Sequence, residues 1–216
     1  MNSSRPNTLT RSAAMAEAIA KKTPLTPEIK EAFAAIPREL FIPEGFGRFA
    51  YELDALPMAG NQWISSPLTV AKMTTALELS GADSVLEIGC GSGYQAAILS
   101  KLVRRVFTIE RIEKLLLQAK SRFKSLNLIN INARLDDGQK GWGAFAPYDR
   151  ILFSASANTI PPILFDQLAS GGILVAPVEE NNQQIITQFR KIGRSVTRRT
   201  FDSCRFVPVL DGIERS

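Results

Sequence analysis

The sequence predicts an α/β fold: a doubly wound, mostly parallel sheet of seven strands behind an N-terminal helical cap. Three observations carry that expectation. Between about residues 66 and 177, short apolar or β-branched runs alternate with helix-length amphipathic segments, the pattern of parallel strands joined by crossover helices. The first of these runs ends in a glycine-rich turn, Gly89-Cys90-Gly91-Ser92-Gly93, with a helix-like segment directly behind it. With 45% hydrophobic residues in 216, the chain can bury a full core as one unit. That unit divides into a helical preface at 1–65, an α/β core at 66–178 and C-terminal strands at 179–216.

Residues 8–60 read as small helices broken by prolines, around Ala13–Ala20 and Pro27–Ile36, followed by Pro37, Pro43 and Pro57. Ser65-Ser66-Pro67 opens a helix through Leu79, with a serine as N-cap and proline at the first helical position. Five strands follow at 84–88, 105–110, 130–135, 149–155 and 172–178, each short and mostly apolar as befits strands covered on both faces. Between them lie helices at Gln95–Leu102 and Arg111–Lys124, the latter with Ile112, Leu115, Leu116, Ala119 and Phe123 on one face. Pro161–Leu168 reads as a further helix that Gly171-Gly172 ends. The runs Gln184–Phe189 and Cys204–Leu210 read as two last strands, an antiparallel hairpin joined across a basic segment.

Composition narrows the chemistry. The chain has no histidine, which excludes a Ser-His-Asp triad, a Cys-His pair, a His general base and His-liganded zinc; no metal is called for. Cys90 and Cys204 are too few for a disulfide scaffold, so reduced thiols and a cytoplasmic location are expected. The start MNSSRPNTLTR is polar, and no run approaches the roughly 18 apolar residues of a membrane span, so no membrane partner is expected. The net charge of +5 comes from 26 basic and 21 acidic residues, and residues 190–205 hold 6 of the basic and 1 of the acidic ones, leaving 20 and 20 elsewhere. A solvated face accounts for that segment, and nucleic acid is not the expected partner.

Glycines at 89, 91 and 93 allow a sharp turn and the close approach of a ligand to main-chain atoms. A dinucleotide fingerprint would place its third glycine at position 94, where Tyr94 stands, so the spacing argues against NAD. Glu110, 17 residues beyond Gly93, closes the next strand, where an acid can accept hydrogen bonds from a ribose diol. Asp136-Asp137-Gly138 puts a second acidic loop on the same sheet edge, and a solvated Asp-Gly turn explains it equally well. By itself, the glycine loop is also compatible with a mere tight turn.

The strand and loop VLEIGCGSGY resembles motif I of the class I S-adenosylmethionine-dependent methyltransferases, whose fold is Rossmann-like. More specifically, the chain resembles the protein-L-isoaspartate O-methyltransferase family. The resemblance rests on Ile64-Ser65-Ser66-Pro67, VLEIGCGSGYQAAIL, Glu110-Arg111, DDGQKGW at 136–142, APYDRILFSA at 146–155, IPPILFDQLASGGILVAPV at 160–178 and FVPV at 206–209, in the family's order. It implies an enzyme that methylates the free carboxyl of L-isoaspartyl residues in damaged proteins and peptides, acting as a monomer. Cofactor contacts are implied for Ile64, Ser66, Glu87, Gly89, Cys90, Gly91, Ser92, Gly93, Glu110, Arg111, Asp137 and Gly138. The family's essential serine falls on Ser65, which would orient the substrate carboxylate. Trp63, Ala155, Ser156, Ala157 and Val207 would line the peptide groove. The chain departs from the family at Trp63, where a threonine is usual, at Ser154-Ala155-Ser156-Ala157-Asn158 and at Glu179. Such a reaction suits a chain without imidazole, because its nucleophile is a carboxylate already ionised at neutral pH. Two other readings stand beside it. One is a nucleic-acid or small-molecule methyltransferase on the same fold; the other is a non-catalytic cofactor-binding module with Trp63 blocking the pocket.

Overall fold

Pro27 and Pro67 each occupy the first turn of a helix, where the missing N–H costs nothing, and the preceding Thr26 and Ser66 side chains accept from Ile29 N and Thr69 N. These caps start α2 (Pro27–Ala35) and α3 (Pro67–Ala76) of the computed structural model; α1 (Thr8–Ala20) starts at Asn7. The structure describes residues 7–215, so the sequence reading of the first six residues falls outside it. Helix α3 stops at Ala76, short of the expected Leu79, and Glu78 turns to a positive φ of 49°.

The cap is not all helical. After two 3-10 turns at Arg38–Phe41 and Glu44–Phe49 comes a hairpin of β1 (Leu56–Met58) and β2 (Gln62–Ile64), turned by Gly60 and Asn61 at φ 70° and 51°. Sequence reading took Pro57 only as a helix breaker, although proline is also tolerated in a strand at a sheet edge.

The main sheet runs β5-β4-β3-β6-β7-β8-β9. Its parallel part comprises β3 (Ser84–Ile88), β4 (Arg105–Glu110), β5 (Ile131–Leu135), β6 (Tyr148–Phe153) and β7 (Leu168–Glu180), and β8 (Gln183–Ile192) and β9 (Ser195–Cys204) close it antiparallel. Crossovers run through α4 (Tyr94–Leu99), α5 (Glu113–Ser125) and α6 (Pro162–Asp166). Alternate residues serve two cores, as period-two strands require. Leu86, Ile88, Phe107, Ile109, Ile151, Phe153 and Leu174 pack on the α6 side. Val85, Val106, Leu152 and Val175 pack under α1–α4, where Phe33 and Phe41 meet Tyr94 edge-on at 6.3 and 5.4 Å.

Two expectations are corrected here. Gly171-Gly172 does not end a helix: α6 stops at Asp166, and the glycines lie inside β7. There the pairing jumps from Tyr148↔Leu168 to Arg150↔Ile173, and Gly171 takes a φ of 76° within this excursion. The C-terminal hairpin is the basic segment itself rather than a pair of strands joined across it. Gly193 (φ 59°) turns the chain between β8 and β9, and residues 205–210 leave the sheet. Val196, Thr197, Thr200 and Phe201 supply strand-forming side chains among the arginines.

Candidate active site

Strand order reverses direction between β3 and β6, which makes the carboxyl ends of these strands the topological switch point where open α/β sheets bind ligands. A cleft lies there, in two chambers that share Trp63, Gly89, Gly91 and Ser154. The first is completed by Ile88, Ile109, Glu110, Arg111, Ile112, Leu115, Gly138, Ala155 and the segment Val207–Leu210, with Gln62 at its edge. Ile64, Ser65, Val70, Met73, Glu87, Cys90, Ser92, Tyr94, Gln95 and Phe206 complete the second.

The glycine loop is held from below and from the side. Gly93 forms the N-cap of α4 at φ 88°, and a Cβ there would lie 2.7 Å from the Phe123 ring, so only glycine fits. Glu110, 5% exposed, accepts from Gly91 N through Oε2 at 2.7 Å and from Arg111 N and Ile112 N through Oε1 at 2.9 and 3.0 Å. Glu110 lines the first chamber, and a carboxylate oxygen has two lone-pair sites, so Oε2 with its one main-chain donor has capacity for a ligand hydroxyl. Arg122 reaches from α5 to Ser92 O at 3.1 Å and to Leu40 O at 3.0 Å, tying the loop to the cap.

Glu87 is fully buried on the wall of the second chamber; Thr108 Oγ1 and Ser154 Oγ donate to its carboxyl at 2.6 and 2.9 Å. Burial pushes it up to about 8 against the opposing pull of these hydroxyls, and the Glu110 charge adds to the rise. Burial, with the charges of Glu87 and Glu110, also drives the Cys90 thiol well above its usual value. Cys90 therefore stays a neutral thiol, unsuited to nucleophilic attack.

Ser65 immediately precedes the capping Ser66, and its carbonyl accepts from Arg38 Nη2 at 3.2 Å. Arg38 is completely buried, and its other acceptors are the carbonyls of Ala50, Glu52 and Asp54 at 2.8, 3.3 and 3.1 Å. One guanidinium thus fastens the cap segment 50–54 to Ser65 on the cleft wall. Trp63, paired with Pro57 across the hairpin, is 57% exposed and stands at the lip of both chambers rather than plugging them.

Most residues singled out from sequence come together on these walls: Trp63, Ile64, Ser65, Glu87, Gly89, Cys90, Gly91, Ser92, Glu110, Arg111, Gly138, Ala155 and Val207. Gly93 lies just behind, at the base of α4. The Ser66 hydroxyl is engaged at the helix cap, within 3.1 Å of Thr69 N and 2.9 Å of Thr69 Oγ1. Asp137 stands beside the cleft, accepting from Gln139 N at 3.0 Å and from Gly212 N at 3.1 Å. Ser156 and Ala157 back the wall, with Ser156 bridging Val207 and Val209 through its main chain and Ala157 N donating to Pro177 O. Sequence reasoning missed Arg38, Arg122, Tyr94 as a wall, and Gln62. Only Tyr94 carried a signal, as a bulky residue following a glycine loop.

A glycine turn that lacks the third dinucleotide glycine, with an acid closing the next strand, is the arrangement by which the chain resembles the class I S-adenosylmethionine-dependent methyltransferases. The fold and cleft place this chain among those methyltransferases. A family model described as protein-L-isoaspartate(D-aspartate) O-methyltransferase matches residues 10–214, and the chain belongs to that family. It is 55% identical over 201 residues to a protein-L-isoaspartate O-methyltransferase of Helicobacter pylori strain P12, covering 93% of this chain and 96% of that one. To that of Maricaulis maris it is 45% identical over 189 residues, covering 88% and 89%. A solved structure of a protein-L-isoaspartate O-methyltransferase superposes with a TM-score of 0.85 at 27% identity; the match covers 93% of this chain and 66%, just under two thirds, of that longer one. A Plasmodium falciparum structure, described as a putative member in complex with S-adenosyl-L-homocysteine, shares the fold with a TM-score of 0.81 at 18% identity, covering 92% and 98%.

Proposed function

We propose that this chain transfers a methyl group from S-adenosylmethionine to the free carboxyl of L-isoaspartyl residues in damaged proteins and peptides, and that the two chambers divide the cofactor, its adenosine in the first and its methionine portion in the second beside the substrate carboxyl. The observation that carries the division is Ser65 on the wall of the chamber next to the glycine loop, its backbone fixed by Arg38. When bound, the cofactor supplies a methyl carbon made electrophilic by its sulfonium. The first chamber takes the adenosine portion: Glu110 accepts from the ribose, Arg111 and Gly138 flank the base, and Asp137 holds Gly138 and the C-terminal segment in place. Residues 89–93, Glu87 and Ile64 surround the methionine portion, and Ser66 acts through its cap. Ser65 orients the carboxylate. Trp63, Ala155 and Val207 border the peptide, with Ser156 and Ala157 behind them.

The arrangement contains no activated base, and the reaction requires none, because the nucleophile is already anionic. Its acceleration comes from holding oxygen, methyl carbon and sulfur in line, for which proximity and orientation supply the driving effect. We further propose that the protein works as a monomer in the cytoplasm without nucleic acid. In support, Cys90 and Cys204 are free thiols, and acidic Glu110 lines the site while Arg190 and Arg198 pair with Glu78 and Glu180. Among the described residues no helix is long and apolar enough to cross a membrane. The test is incubation with labelled S-adenosylmethionine and paired peptides that differ only in aspartyl or isoaspartyl linkage. Label is expected on the isoaspartyl peptide alone; equal or absent labelling would sink the assignment.

A further inference from the structure

Strand β9 ends at Cys204, and two residues later the chain leaves the sheet and becomes the strap that closes both chambers, with Phe206 facing the Ser65 chamber. Leaving the sheet deprives Phe206 of a strand partner for its N–H and C=O. The side chain of Gln184 on β8 takes that partner's place. Phe206 N donates to Gln184 Oε1 at 2.6 Å, and Gln184 Nε2 donates back to Phe206 O at 3.1 Å. A carboxamide has the donor and acceptor of a peptide group, so it continues the ladder by one rung where the backbone no longer can. The same Nε2 lies 3.1 Å from Ser156 Oγ and 2.8 Å from Glu179 Oε1.

We propose that Gln184 is a positioning residue that fixes the substrate end of this strap, acting on the peptide through Phe206 and Val207. The proposal rests on the reading that Val207 borders the peptide groove. The strap has separate fasteners along its length. Its middle is held by the Ser156 main chain, at 2.8 Å to Val207 O and 2.7 Å from Val209 N. Its far end is held by Gly212 N to Asp137, and by Glu113 N to Glu214 O at 2.9 Å. Val207–Leu210, which line the first chamber, lie between these fasteners. Releasing Gln184 therefore loosens the substrate end and leaves the cofactor end in place.

Gln184→Glu and Gln184→Leu test this. The first is isosteric, keeps an acceptor for Phe206 N, loses the donor to Phe206 O and sets a second carboxylate against Glu179. The readouts are the KM and kcat for an isoaspartyl peptide and the Kd of S-adenosylhomocysteine by calorimetry. Expected is a peptide KM raised at least fivefold in both variants, with the Kd within twofold of wild type. Adding Glu179→Gln to Gln184→Glu removes the charge repulsion but not the missing donor, so the raised KM should persist. An unchanged KM, its recovery in that double variant, or a Kd that weakens in step with KM would each overturn the proposal. Should the leucine variant not fold, the isosteric glutamate variant decides. The wild-type comparison of aspartyl and isoaspartyl peptides reads the activity separately, so its failure is distinguishable from a failure of Gln184.

Discussion

Glu87 retains its proton, at about 8, through a range in which an exposed glutamate near 4.5 has lost it. The native state thus binds more protons than the unfolded chain across that window. Its contribution to stability is fully present below the unfolded value and is lost as pH rises toward 8. Glu87→Gln keeps the shape and removes the titration, so its melting temperature is expected to gain on wild type between pH 5 and pH 8; melts that run parallel with pH would contradict this. Ser65→Ala removes only a hydroxyl at the cleft wall, so kcat is expected to fall by at least tenfold while S-adenosylhomocysteine affinity holds. Unchanged turnover would remove Ser65 from its role. At this scale the sequence was legible where glycine spacing marks a turn, as with residues 89–93, and where an acid closes an apolar strand, as with Glu110. Arg38 was hidden because it binds carbonyls 12 to 27 residues away, and a charge in a proline-broken segment reads as a surface residue.

The elements that carry the site can be broken one at a time. Gly93→Ala forces a Cβ onto Phe123 at a left-handed φ, and strain of this type costs about 1–3 kcal/mol. Urea unfolding should show that loss together with weakened cofactor binding, whereas a stable variant with full affinity would speak against the tight helix start. Ser66→Ala removes the cap of α3 at a cost of about 1 kcal/mol, checked by the same unfolding midpoint. Helices α2 and α3 were readable because proline and a hydroxyl cap mark their starts. The β1–β2 hairpin escaped notice because three-residue strands offer too few positions for alternation to register. Gly171-Gly172 misled because a glycine pair after a helix and a glycine pair inside a strand excursion look alike until the register is known.

For the whole molecule, the doubly wound, mostly parallel sheet was legible in the alternation of apolar runs and helices, and the place of the C-terminal hairpin was not. Its arginines outweighed the β-branched residues between them in a reading by charge. Arg194 and Arg199 lie exposed on this hairpin. Replacing both by glutamate should leave stability within about 0.5 kcal/mol, as exposed substitutions usually do. The KM for an acidic isoaspartyl peptide should rise in the double variant and lose its increase with added salt; an identical salt profile would show that the charges merely face water. Strand β9 is also one of the two borders of the seven-stranded sheet, β5 being the other, with a row of backbone groups open to an extended chain. Arg198 and Arg199, set in the middle of β9, make annealing there electrostatically and sterically costly, so the sheet is kept from growing by the addition of another chain.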